Sequence, residues 1–232
     1  MTTADVEIES RTVDLGAATA VRADIALGVG ELTVAGGAAA LLEAEFRYSE
    51  PSWRPELTYR VGDDGEGRLK LRQPRESHPR RGGRERNEWD LRLNGDVPLD
   101  LRLELGVGRS DLALGGLTLT RLTVAVGVGD ATIDLRGAWR QDLEIAVDGG
   151  VGKATVLLPA GVGARVEAQG GVGGVKAHGL REVEREGGTS WPRLPFPYRA
   201  VYVNDAYGTA PVTLHLAVHS GVGAIVLRAG EA

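Results

Sequence analysis

Apolar residues occupy every second position through long stretches of the chain, the period of a strand that buries one face. Leu101, Leu103 and Leu105 lead into Gly106-Val107-Gly108, and Leu112 and Leu114 follow it. The same arrangement returns as Leu122, Val124 and Val126, then Gly127-Val128-Gly129, then Ile133 and Leu135. Gly-Val-Gly occurs seven times, and the triplets that begin at Gly106, Gly127, Gly150 and Gly171 are 21, 23 and 21 residues apart. A fixed period of this size marks a structural repeat in which each unit is one supersecondary element. The third unit carries Leu143, Ile145 and Val147 two residues earlier than its neighbours, a slip that accounts for its longer spacing. The fourth, "VEAQGGVGGVKAHG", is weaker, a further copy lies late in "VTLHLAVHSGVGAIVL", and an isolated one lies early in "VRADIALGVGELTV".

Such strands can pair as hairpins or stack as the coils of a solenoid. A two-residue hairpin turn needs positive φ at its central positions, which suits Asn-Gly and is poor for β-branched valine. Glycines on either side of a valine suit a corner instead. The expectation is that glycine takes the bend while the valine packs inward on the valine of the next coil. Stacked coils bury their faces only against neighbours, so the end coils need caps.

The N-terminal third, "LLEAEFRYSEPSWRPELTYRVGDDGEGRLKLRQ", alternates without the period and reads as a separate sandwich or jelly-roll module. The charged stretch "PRESHPRRGGRERNEWD" after it is expected to be a linker or long loop, which divides the chain into residues 1–95 and 96–232. No helix longer than two turns is predicted. "AAALLEAEF" is the best helical candidate, and its flanks suit a strand equally. The fold class expected is all-β: an N-terminal β-sandwich or jelly-roll-like module followed by a β-solenoid of stacked short strands.

Composition narrows the function classes. The 34 glycines among 232 residues sit at intervals rather than in runs, which excludes simple low-complexity disorder. A net charge of −5 argues against a nucleic-acid binder with a cationic surface. The absence of cysteine removes disulfides, thiolate metal sites and thiol nucleophiles. "AGGAAALL" is far too short to span a bilayer, and "MTTADVEIES" lacks the basic start and apolar core of a signal peptide. The chain is therefore expected to be cytoplasmic as it stands or a soluble portion of a membrane-anchored envelope protein.

Reaction chemistry finds little support. A dinucleotide fingerprint needs a third glycine five residues after the first, where this chain has Thr33, Asp111, Thr132, Thr155, Val166, Lys176 and Val226. His215 and His219 on a strand lie roughly 13 Å apart on one face, too far to grip one metal ion, and read as solvent-facing. Stacked coils would bring Asp130 near Arg109 or Lys153 at roughly 4.8 Å, a charge ladder rather than a carboxylate pair. Arg109, Asp130, Lys153 and Gly174 occupy the position after the second glycine in successive units, so no acidic stack for glycoside hydrolysis emerges. There is no Gly-x-Ser-x-Gly motif. No enzyme, cofactor or metal is expected.

The stretches "ALGVGELTV", "LLEAEFRYSEPSWRPELTYRV" and "NEWDLRLNGDVPLDLRLELGVGRSDLALGGLTLTRLTVAVGVGDATIDL" resemble the bacterial toast-rack family. "GVGKATVLLPAGVGARVEAQGGVGGVKAHGL" is similar to the C-terminal domain of LiaF-type cell-envelope stress proteins, with Gly129, Asp130, Ile133 and Pro159 in the corresponding places. The resemblance implies a toast-rack module in residues 1–95, a solenoid in 96–232, no catalytic residues, and a role in sensing or scaffolding at the envelope. Partners implied are proteins or envelope components, with membrane association only through a segment absent from this chain.

Two surfaces are candidates for that role. The segment "TSWPRLPFPYRAVYVNDAY" holds Trp191, Phe196, Tyr198, Tyr202 and Tyr207, which could stack on sugar rings or anchor a protein, or cap the solenoid. A carbohydrate-binding protein using residues 189–207 is the alternative reading. The cluster Arg75, Arg80, Arg81, Arg84 and Arg86 could meet an anionic polymer or lipid surface, or form a solvated loop.

Overall fold

The computed structural model describes residues 6–74, 85–186 and 198–230. Its strands are β1 (Glu7–Val13), β2 (Ala20–Gly36), β3 (Leu42–Tyr48), β4 (Glu56–Val61), β5 (Glu66–Arg72), β6 (Asn87–Leu93) and β7 (Leu99–Ala113). They continue as β8 (Leu119–Asp134), β9 (Leu143–Leu158), β10 (Gly163–His178), β11 (Arg181–Glu186), β12 (Tyr198–Val203) and β13 (Thr213–Ala229). A single 3-10 turn, Pro51–Trp53, interrupts them. The all-β expectation holds, and "AAALLEAEF" resolves as the connection at 38–41 and the first five residues of β3.

Six strands of 15 to 17 residues, β2, β7, β8, β9, β13 and β10, each carry one Gly-Val-Gly near the middle. They stack in parallel with their triplets in register: Val29 beside Val107, then Val128, Val151, Val222 and Val172. Each is one bent strand with two legs, where the sequence pattern suggested two short strands.

Through the triplet the buried face changes phase. In β7, Leu101, Leu103 and Leu105 are buried before it and Ser110 and Leu112 after it, an odd step of five residues between Leu105 and Ser110. The second glycine of each of these six triplets holds a φ between 136° and 146°. A Cβ at Gly129 would stand 1.8 Å from the carbonyl oxygen of Gly108 in the coil below. Only glycine meets both demands, and the bend follows from it.

Both legs bury their apolar columns in one core. Ile25, Leu103, Val124, Val147, Val218 and Ala168 line up on the first legs, and Val34, Leu112, Ile133, Val156 and Leu227 on the second. At roughly 25 cal/mol per Å² of apolar surface, these columns supply the main stabilisation.

Four features differ from the sequence-based expectation. The central valines do not pack inward: Val29, Val107, Val128, Val151, Val172 and Val222 are 47–52% exposed. The bend turns the triplet's side chain outward, and the core is filled from the legs alone. The third unit does not slip, because Ile145 and Val147 pair with Leu122 and Val124 while Gly149 replaces an apolar residue beside Val126. Its two extra residues lie in the connection between β8 and β9. The late copy, β13, inserts between β9 and β10 rather than following β10. Finally, Asn87–Asp90 of the expected linker open β6, and the early copy is a full coil paired with β7. Parallel pairing carries no trace of the sequence distance between partners.

At the β2 end the two legs are continued separately. β5 and β4 extend the first legs, and β6, β3 and β1 extend the second. Trp89 of β6 meets Phe46 of β3 edge to face at 5.4 Å. The corner itself is closed by two amides. Gln73 Oε1 accepts hydrogen bonds from the Gly28 and Val29 amides, and Asn87 Nδ2 donates to the Val29 carbonyl at 2.7 Å. These side chains do what the backbone of a further coil would do. At the other end β12 lies antiparallel on the first leg of β10, and β11 on β12. Buried Asn204 ties this end down, accepting from the Ala164 amide and donating to the Val162 carbonyl.

Candidate functional site

The outward valines form a continuous apolar ridge along the corner, one residue per coil over six coils. Neighbouring parallel strands stand about 4.8 Å apart, so the ridge is roughly 24 Å long. Scattered apolar surface residues are ordinary, and this array differs from them in being contiguous.

Grooves run along both sides. The one on the first-leg side, about 800 Å³, is floored by Gly28, Gly106, Gly127 and Gly150 and walled by Arg72, Glu104 and Asp148. That on the second-leg side, about 590 Å³, includes Gly108 and Gly129, with Glu31, Arg86, Arg109 and Asp130. Flanking the ridge are two in-register columns. The first-leg column reads Arg72, Ala26, Glu104, Ala125, Asp148, His219, Gln169. The second-leg column reads Glu88, Glu31, Arg109, Asp130, Lys153, Ala224, Gly174.

Asp130 stands in register between Arg109 and Lys153 of the adjoining coils, as the repeat predicts, but their side chains do not close into the expected charge ladder. Asp130 Oδ1 accepts a hydrogen bond from the Lys153 backbone amide at 3.2 Å. His219 Nδ1 lies 3.0 Å from Asp148 Oδ1 on the outer surface, and His215 shares that face between Glu144 and Arg165. No trio of metal-ligating side chains occurs among the described residues.

The displaced carboxylates among the described residues are each paired with arginine. The carboxylate of Glu9 accepts from Arg54 and Arg11 and from the Tyr48 hydroxyl, which brings it down to about 2. Burial, with this carboxylate beside it, pushes Tyr48 up to about 12. Arg136 lowers Asp134, Arg199 and Arg165 lower Glu167, and Arg185 lowers Glu182. None of these carboxylates lines either groove.

Of the arginine cluster, Arg75, Arg80, Arg81 and Arg84 lie outside the described residues. Arg86 sits in the second groove, paired with Glu88 at 2.5 Å. Of the aromatic segment, Trp191 and Phe196 lie outside the described residues and Tyr198 begins β12. Tyr202 is buried against β10 and β11, and Tyr207 is 38% exposed in the turn after β12. A third groove, about 440 Å³, lies at the open ends of the legs and is lined by Trp139, Arg140, Gln141 and Asp96. Sequence reading passed over Asn87, Asn204, Gln73 and Trp139. The alternation of Trp89, Leu91 and Leu93 after Asn87 was the available signal that "NEWDLRL" is a strand.

Residues 2–157 match the family described as the N-terminal domain of toast_rack, DUF2154. The chain belongs to the toast-rack family. Its fold is shared with the crystal structure of a candidate cell adhesion protein from Clostridium sporogenes, which is 32% identical with a TM-score of 0.87. That alignment covers 97% of this chain and 100% of the other. Candidate adhesins from Bacteroides fragilis and Parabacteroides merdae align over 96% and 97% of this chain and 97% and 96% of their own. Their identities are 11% and 10%, each with a TM-score of 0.22. No curated protein matches the sequence. The toast-rack match runs from β1 through β9.

Proposed function

We propose that this toast-rack protein is a non-enzymatic interaction domain of the bacterial envelope, a scaffold or sensing module that works through the ridge and its two grooves. The observation that carries the reading is the six-valine ridge, held rigid by in-register backbone pairing and standing half exposed. Likeness to the Clostridium sporogenes candidate cell adhesion protein supports an adhesive or assembly role. Division into an N-terminal module of residues 1–95 and a solenoid of 96–232, and kinship of the latter with LiaF-type stress proteins, belong to the same reading.

The test is co-sedimentation of the purified chain with isolated bacterial envelope fractions. Binding that is lost in Val107→Asp/Val151→Asp, with strand content unchanged by circular dichroism, is the expected result. Equal sedimentation of the variant would overturn the ridge as the contact surface. Stacking of a sugar on segment 189–207 is a second reading, favoured by the exposure of Tyr207. A glycan array with wild-type protein and Tyr207→Ala tests it, and equal signal from both would remove Tyr207 from that site.

A further inference from the structure

We infer that the valine ridge is the contact through which two copies of this chain associate, side by side and parallel, about a two-fold axis running along the ridge. The inference rests on the ridge being an interaction surface and names its occupant.

Shape is the first consideration. The valines stand one per coil at a fixed spacing along six coils. Two copies can therefore set ridge against ridge, coil level for coil level, without breaking the spacing of either. A contact of this kind is isologous, the commonest symmetry for a soluble homo-oligomer.

Charge selects the orientation. With the axis along the ridge, each first-leg column faces the partner's second-leg column at the same level. Arg72 then stands opposite the partner's Glu88, Glu104 opposite the partner's Arg109, and Asp148 opposite the partner's Lys153. Every charged pair at these levels has opposite signs. An axis across the ridge reverses one copy and sets each column against its own reverse. Glu104 then meets the partner's Asp148 and Arg109 the partner's Lys153, like charges in both columns, which is destabilising.

The pairing is also left open within the single chain. Glu104 and Arg109 flank the triplet in one strand, yet the ridge separates them, and Glu104 bonds Arg102 instead. Among the described residues Arg72, Arg109 and Lys153 have no carboxylate within ion-pair distance. Three unpaired cations beside an exposed apolar row are what a complementary second surface would satisfy.

Sedimentation velocity on the purified full chain, with no envelope material present, tests the inference. The ridge alone is smaller than a standard interface, so a reversible monomer–dimer equilibrium is expected between about 1 and 100 µM. Val128→Asp should weaken association at least about tenfold with circular dichroism unchanged. Arg109→Glu/Lys153→Glu should do the same, and adding Glu104→Arg/Asp148→Lys to that variant should restore dimers. Wild-type protein that stays monomeric throughout overturns the inference, as does Val128→Asp that associates like wild type or a four-residue swap that remains monomeric. Self-association and envelope binding are separate measurements, so a monomer that still sediments with envelope fractions contradicts the dimer and leaves the interaction role standing.

Discussion

Val124 and Val128 lie four residues apart in β8, and in a regular strand they would face the same way. Val124 is 1% exposed and Val128 is 47% exposed. Between them lie only Ala125, Val126 and Gly127, and after them Gly129 at a φ of 136°. One residue type thus has two fates in one strand. The inner column is the glue of the fold, while the outer column contributes surface. What separates them is the corner, whose close coil-to-coil approach is possible only with glycine.

The comparison can be broken most forcefully at that corner. Gly129→Ala adds a Cβ 1.8 Å from the Gly108 carbonyl oxygen and puts a side chain at positive φ. The expected loss exceeds about 3 kcal/mol, read as a lower urea midpoint or failure to fold. Next in size is the inner column itself. Val124→Ala is expected to cost about 2 kcal/mol by leaving a gap between Leu103 and Val147, measured by the same unfolding curve.

Away from the corner, the β1 edge depends on charge rather than on columns. Glu9 joins β1 to Tyr48 of β3 and to Arg54, and its folded value near 2 lies below the ordinary 4.5. A depressed carboxylate stabilises fully above about pH 4.5, and that contribution fades as pH falls towards 2. Glu9→Gln is expected to cost about 1–2 kcal/mol at neutral pH. The gap from wild type should shrink on acidification, as thermal unfolding between these limits would show.

The smallest effect sharpens the picture of the inner column from a single atom. Ser110 is buried in the ladder between Leu32 and Ala131, and its hydroxyl finds no partner among the described residues. Ser110→Ala is expected to raise stability by about 1 kcal/mol in chemical denaturation, since an unmet buried donor is removed.

Much of this architecture was legible in the chain. Alternation around each triplet located the six long strands, and valine's poor fit to a hairpin turn pointed correctly to stacked coils. The direction of Val128 was not legible, because periodicity cannot show that a corner inverts the phase. Nor could spacing show that β13 slides between β9 and β10, since identical coils compete equally for one ladder position. Asn87 and Gln73 were hidden for a different reason: a capping amide is defined by the corner it closes, and Val29 is 58 residues from Asn87. As for the site, the repeat places Arg109, Asp130 and Lys153 in one column, though their side chains do not pair, and it puts the valine ridge in the interior, where the structure does not.

Paired urea unfolding of Val124→Asp and Val128→Asp tests the central claim most directly. With the valine ridge outside the corner, Val124→Asp buries an unpaired carboxylate and fails to fold, while Val128→Asp stays within about 0.5 kcal/mol of wild type. Comparable destabilisation of both variants, or the greater loss in Val128→Asp, would place the triplet's valine in the core and contradict the account.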